Sequence, residues 1–271
     1  MAQIVKDITT YLEEWAPPYL AEDWDNSGLS VGNPNQEVKK ILLALDVLDE
    51  VIDEAVDLGA DMIVTHHPML LFKKLNSITT ETPVGNRIHK LIRNNISAYA
   101  AHTNLDSAKG GINDILADLA GLQDVSVLEV SHVSEDGTEE GLGRVGMLPE
   151  PMKFVDFAKR MKEQLHLPTI RLVGDGNQMV QKVGMCSGSG MSMLPNAIAE
   201  NVDAFITGDA RYHESQKALE AGICIVDGTH YASEVIVLPL LKKYLEDGIQ
   251  KNGWNIEVVL SKVDGQTFWD L

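Results

Sequence analysis

The chain has little cysteine. Its 271 residues include two, Cys186 and Cys224, neither in a C-x-x-C pair. That excludes a disulfide framework, gives no sign of thiolate zinc or redox chemistry, and fits a reducing compartment. Basic residues are also scarce: 22 Lys and Arg face 40 Asp and Glu, a formal charge of −18. Such a surface repels phosphate backbones and anionic lipid, so neither a nucleic acid nor a membrane is expected as partner. Long apolar runs are missing too. The longest one near the C-terminus, Val235 to Leu241, is broken by Pro239, whereas a bilayer span needs ~20 residues. The start, MAQIVKDITTYLEEW, lacks a cationic stretch leading into an apolar core, so no secretory leader is expected and the reading is cytoplasmic.

What is present is an ordinary globular composition, 44% hydrophobic and 23% charged, too apolar for a disordered chain. At ~150 residues per domain the length allows two domains or one large α/β unit. An opening helix over 4–15 is expected to stop at Pro17-Pro18. The strand ILLALD (41–46), an amphipathic stretch DEVIDEAVDLGAD and the strand MIVTHH (62–67) are echoed by VGMCSG (183–188), MSMLPNAIAENVD and AFITGD (204–209). Asp61 and Asp203, Thr65 and Thr207, and Ala55 and Ala197 share one offset. Each half continues with a helix and a further strand, RIHKLIRNN into ISAYAAH and YHESQKALEAG into ICIVDGTH.

The expected fold class is therefore α/β: two similar α/β domains from an internal duplication, with mixed sheets and helices packed outside. The acidic loop at 134–141 suggests a first half over 1–134 and a second over 135–271, intertwined. In the middle stretch, INDILADLAGL reads as a helix, GRVGML as a strand, PMKFVDFAKRMKEQL as a helix and LPTIRLVG as a strand.

In such sheets ligands gather beyond the carboxyl ends of strands, and chemically capable residues follow strands here. His66-His67-Pro68 ends MIVT. Adjacent side chains on a strand point to opposite faces, so both imidazoles serve one site only if the strand stops and the backbone turns, which Pro68 encourages. Asp106 follows the strand ISAYAAH within HTNLD; its bland reading is a cap for a helix starting near Gly110. His230 and Glu234 in DGTHYASE share a face if a helix begins there. Three imidazoles and two carboxylates exceed what one tetrahedral catalytic zinc takes. Five ligands suit two divalent metal ions, with Glu234 as the simplest bridge between ions about 3.5–4 Å apart. Mixed nitrogen and oxygen donors without thiolate leave zinc, iron and manganese open.

Other residues carry two readings each. His102 is a candidate proton shuttle or a loop-orienting group, and His213 in RYHE is a candidate catalytic group or a solvated helix-start histidine. Trp24-Asp25-Asn26 suggest a pocket mouth or a packed loop. Gly188-Ser189-Gly190 suggest an anion cradle or a tight turn. Cys186 and Cys224 read as core residues.

Taken in order, DWDNSGLSVG, VTHHP, HTNLD, GLGRVG, the GSG turn, TGDARYHE and DGTHYASE resemble the Nif-three-like family, whose members are often named type 2 homologues of GTP cyclohydrolase I. The resemblance covers nearly the whole chain. It implies two similar α/β domains with a dinuclear metal site between them. By this resemblance His66 and His67 would each supply one ligand to a different metal, Asp106 would join the metal of His67, His230 the other, and Glu234 would bridge both. It also implies a homohexamer, a toroid of stacked trimers. Some relatives insert an extra domain in mid-chain, for which this chain has no room. The leading expectation is a dinuclear-metal-dependent hydrolase, GTP cyclohydrolase-like or acting on a phosphoester, with a small-molecule or nucleotide substrate. The alternative is a non-catalytic metal-binding oligomeric protein for interaction or metal trafficking.

Overall fold

The computed structural model describes residues 2–70 and 77–269. The chain forms two compact units, Met1–Leu105 with Leu238–Gly265, and Asp106–Val237 with Gln266–Leu271.

Unit 1 opens with α1 (Val5–Trp15), which stops before Pro17-Pro18 as expected and is followed by a 3-10 turn, Pro18–Leu20. Then come β1 (Gly28–Val31), β2 (Lys40–Ala44), α2 (Asp49–Leu58), β3 (Met62–Thr65), α3 (Pro83–Arg93) and β4 (Ser97–Ala100). β2, β3 and β4 run parallel, and β1 closes the β4 edge antiparallel. The strands ILLA and MIVT are apolar at every position because both faces of a parallel sheet are covered; Ile41, Leu42, Leu43, Ile63 and Val64 are fully buried. On one face Leu42, Ala44 and Ile63 pack with Val51, Ile52 and Ala55 of α2 and Leu91 of α3.

Unit 2 follows a short helix α4 (Thr103–Ser107) and contains α5 (Ile112–Ala120), β5 (Gln123–Val133), β6 (Glu139–Lys153), α6 (Phe154–Gln164), β7 (Arg171–Val173), β8 (Met179–Met185), α7 (Leu194–Ala199), β9 (Ala204–Thr207), α8 (Tyr212–Glu220), β10 (Cys224–Asp227) and α9 (His230–Val235). Its sheet order is β5-β6-β8-β9-β10-β7. The acidic loop is the turn of the β5–β6 hairpin, where Ser134 N donates to Thr138 O and Gly137 N to Ser134 O. The expected division at 134/135 therefore falls inside unit 2. β6 also runs further than GRVGML, into the start of the expected helix. Its register breaks between Met147 and Met152, around Pro149 and Pro151, which have no N–H for the ladder, and α6 begins only at Phe154.

The chain returns to unit 1 through α10 (Val237–Asn252) and β11 (Glu257–Leu260), which adds parallel to β2. Tyr244 of α10 stacks on Tyr11 of α1 at 4.6 Å between centroids, and each hydroxyl donates to the other residue's carbonyl. No helix among the described residues is long and apolar enough to cross a membrane.

The two units share a local order. In each, three parallel strands linked by helices, β2-β3-β4 and β8-β9-β10, are directly preceded in sequence by a strand that pairs antiparallel with the third, β1 with β4 and β7 with β10. The shared offset has a physical counterpart. Asp61 Oδ2 accepts from Lys39 N and Lys40 N, at 2.7 and 3.0 Å; Asp203 Oδ2 accepts from Gln181 N and Lys182 N, both at 2.8 Å. Asp61 ties the start of β2, and Asp203 the middle of β8, to the turn before the next strand.

Replacing Asp61 or Asp203 by Ala leaves two amide donors without their carboxylate. Each substitution should cost about 1–3 kcal/mol, or roughly 2–4 °C of melting temperature per kcal/mol at this size, measurable by thermal melts followed by circular dichroism.

Candidate metal centre

Because β2, β3 and β4 are parallel, their carboxyl ends lie at one edge of the sheet. Asp46, the pair His66-His67, and His102 follow these strands. β3 stops at Thr65, whose hydroxyl donates to His67 O at 2.7 Å, so the backbone turns and the two rings come to 5.0 Å between centroids. His102 lies 5.1 Å from His66 and 5.6 Å from His67 by the same measure. One ligand atom from each of the three imidazoles lies within 4.8 Å of the others.

Each ring is held on Nδ1. Ala101 O accepts from His66 at 2.9 Å, Asp46 Oδ1 from His67 at 2.8 Å and Asp25 Oδ1 from His102 at 2.8 Å. An acceptor at Nδ1 keeps the proton there and leaves Nε2 with its lone pair outward, the tautomer a metal-binding histidine needs. Asp25 is the most enclosed of these partners, with a side chain 0% exposed. It also accepts from Thr103 N, Thr103 Oγ1 and Ser27 Oγ. Burial works to raise its carboxyl, but the His102 hydrogen bond and charge, with those of Ser27 and Thr103, hold it well below the ordinary carboxylate range. Trp24 beside it is 48% exposed and meets His102 edge to face at 5.9 Å.

Unit 2 presents its own donors at the ends of β8, β9 and β10. α9 begins at His230, capped by Thr229 Oγ1, which accepts from Ala232 N. His230 and Glu234 then lie one turn apart as expected, with Nε2 and Oε2 at 3.1 Å, and Asp209 Oδ2 accepts from His230 Nδ1 at 2.8 Å. Thr229 has φ +61° and ψ 153°, a conformation that costs a β-branched residue about 1–3 kcal/mol. Gly188, at φ +58°, passes so close beneath the pair that a Cβ there would lie 2.0 Å from Glu234 Oε1 and 3.3 Å from His230 Nε2. Asp106 is buried on α4, so it is not a cap; α5 is capped by Gly111, and Asp114 Oδ2 accepts from Gly110 N. Among the described residues it joins no three-donor group as close as the imidazoles of unit 1.

Two open readings of the sequence close. The GSG turn is no anion cradle: Gly188 N donates to Ser233 Oγ and Gly190 N to Thr207 Oγ1, both at 3.0 Å, while Ser187 N donates to Asn113 Oδ1 at 2.9 Å. His213 is exposed at the start of α8, with Nδ1 3.1 Å from Gln216 Oε1, and belongs to no close three-donor group among the described residues. Cys186 is a core residue as expected, placed just after β8; burial, then the charges of Asp106 and Glu234, push its thiol up and keep it neutral. Cys224 is buried at the start of β10. Asp46 and Asp209, which back two of the imidazoles, were missed; their one signal is an Asp placed directly after an apolar strand.

The donors that converge within each unit are imidazole nitrogens and carboxylate oxygens, a set that suits zinc, iron(II) or manganese. Fold and site thus define a class, the α/β proteins with histidine and carboxylate groups at strand ends able to hold a metal. The family model described as Duf34/NIF3 (NGG1p interacting factor 3) matches residues 3–266, and the chain belongs to that family. A Clostridium acetobutylicum protein named GTP cyclohydrolase 1 type 2 homolog is 38% identical over 262 residues, 97% of each chain. One of the same name from Clostridium perfringens is 39% identical over 258 residues, 95% of this chain and 96% of its own. The crystal structure of a Bacillus cereus protein related to NIF3 superposes with a TM-score of 0.92 at 27% identity, covering all of both chains.

Two substitutions probe this geometry. Gly188→Ala should displace Glu234 and weaken binding of cobalt(II), used as a spectroscopic metal, by at least about tenfold, with a loss of only a few degrees in melting temperature. Asp25→Asn tests the depressed carboxyl. Its stabilisation is present above the unfolded value of ~3.9 and is lost as pH falls towards the lower folded value. The variant should therefore be less stable than the parent by about 1–3 kcal/mol at pH 7, and the gap should shrink below about pH 4 in melts across pH.

Proposed function

We propose that His66, His67, Asp106, His230 and Glu234 hold two divalent cations, with Glu234 shared by both, and that the protein is a metal-dependent hydrolase. The observation that carries the metal is the Nδ1 anchoring of the three histidines in this set, each by a carbonyl or carboxylate of its own unit. The name of the Clostridium relatives supports GTP cyclohydrolase-like chemistry, and a phosphoester is the other substrate class. The same family resemblance supports a cytoplasmic hexameric ring, and the matched strand order supports descent from one duplicated unit.

His102 is what favours catalysis over storage. It stands outside the five-ligand set, yet its ring neighbours His66 and His67, and Asp25 holds its Nδ1. An imidazole so fixed accepts or returns a proton at Nε2. Bound cations would polarise the bond under attack and lower the pKa of a water. Glu234, fixed against His230, sets where the reacting groups can sit.

Purified protein loaded in turn with zinc, iron(II) or manganese is assayed on GTP and on a generic phosphodiester. Turnover of either is expected, and Glu234→Gln should lower it by roughly 100-fold without changing the circular dichroism spectrum. A fully loaded protein that turns over neither leaves the non-catalytic metal-binding reading in its place.

A further inference from the structure

We propose that Asn113 is a positioning residue that sets Asp106 in register with the Glu234–His230 pair, an inference that rests on the metal reading above. Asn113 is fully buried on the first turn of α5. Its carboxamide spans two backbone groups of different elements. Nδ2 donates to Asp106 O at 3.1 Å, and Oδ1 accepts from Ser187 N at 2.9 Å. Ser187 precedes Gly188, whose N–H donates to Ser233 Oγ, and that hydroxyl donates to His230 O at 2.9 Å. One side chain therefore links the helix that carries Asp106 to the turn lying beneath Glu234 and His230.

The base of this link is itself fixed. Asp114, the next residue, accepts Arg144 Nε at 2.7 Å and Nη2 at 2.8 Å. The same guanidinium donates to Ala108 O, Gly141 O and Gly143 O. The first turn of α5 is thus pinned to β6 and to the carboxyl end of α4. A core position would be filled as well by an apolar side chain. A buried amide with both ends committed to backbone neighbours of candidate ligands instead has the form of a support that orients those ligands.

The test compares the parent with Asn113→Ala, Asn113→Asp and a control, Leu116→Ala, which opens a cavity on the same helix at a fully buried core position. Full-length protein is titrated with cobalt(II), reading the visible absorption bands and the number of ions bound, with melting temperature measured alongside. Asn113→Ala should lose at least about tenfold in cobalt affinity and alter the band shape, while Leu116→Ala loses stability and keeps both. Asn113→Asp keeps the acceptor for Ser187 N but sets a carboxylate oxygen against Asp106 O, so it should bind as poorly as the Ala variant. Parent-like cobalt binding by Asn113→Ala, or an equal loss in Leu116→Ala, overturns the positioning role and leaves the metal reading standing. A parent that binds no cobalt overturns both.

Discussion

A histidine ring has two nitrogens, and what holds one decides what the other can do; that constraint organises this molecule. Where the protein supplies an acceptor at Nδ1, the lone pair of Nε2 is aimed and the ring loses its freedom to flip. Ala101, Asp46, Asp25 and Asp209 do this for His66, His67, His102 and His230. Three of these acceptors follow a neighbouring parallel strand, as the histidines do, so the backbone ladder that brings strand ends together also brings ring and acceptor together. Asp25 is the exception, carried on the loop before β1. The donor groups follow from sheet order more than from any single motif.

Both units solve the same construction problem and then diverge. Asp61 and Asp203 each hold two successive amides at the preceding parallel strand, and the antiparallel strands β1 and β7 cover the same edge. Unit 1 then places three imidazoles at its strand ends. Unit 2 places a glycine turn, one histidine and two carboxylates. The small residues of unit 2 follow from crowding: at Gly188 a Cβ would meet the Glu234 carboxylate, and at Gly208 it would meet neighbouring backbone, His230 N at 2.6 Å. A helix that starts this close to two turns leaves no volume for side chains there.

Much of this was legible because it is local. Apolar runs marked β2, β3, β9 and β10; the HHP turn and the His230–Glu234 spacing each need only a few residues of context. What the pattern did not show depends on distant partners. The acidic loop has the composition of a linker, and only the pairing of Glu129 with Leu142 and Ser126 with Val145 makes it a hairpin tip. The return of β11 to β2 rests on parallel pairing across most of the chain. A lone Asp after a strand looks like a turn residue, so the one signal Asp46 and Asp209 carry does not point to the imidazoles they hold. The glycines of the GSG turn suggested open N–H groups, yet Ser233 and Thr207 reach them from elements far along the chain.

Thr229 shows why such a site is set by competing terms. A glycine there would relieve the backbone at φ +61°, but the hydroxyl that accepts from Ala232 N would go with it, leaving the first turn of α9 without its side-chain cap. Thr229 N is also held, donating to Asp227 Oδ1 at 3.1 Å, and Asp227 is buried. The strained residue is therefore gripped at its amide and by its side chain, and the residue that follows is His230. Strain of about 1–3 kcal/mol persists only where the surroundings over-determine it. Here they do so immediately before a histidine whose ring is fixed again by Asp209, so both the origin and the direction of this donor are set before any ligand arrives.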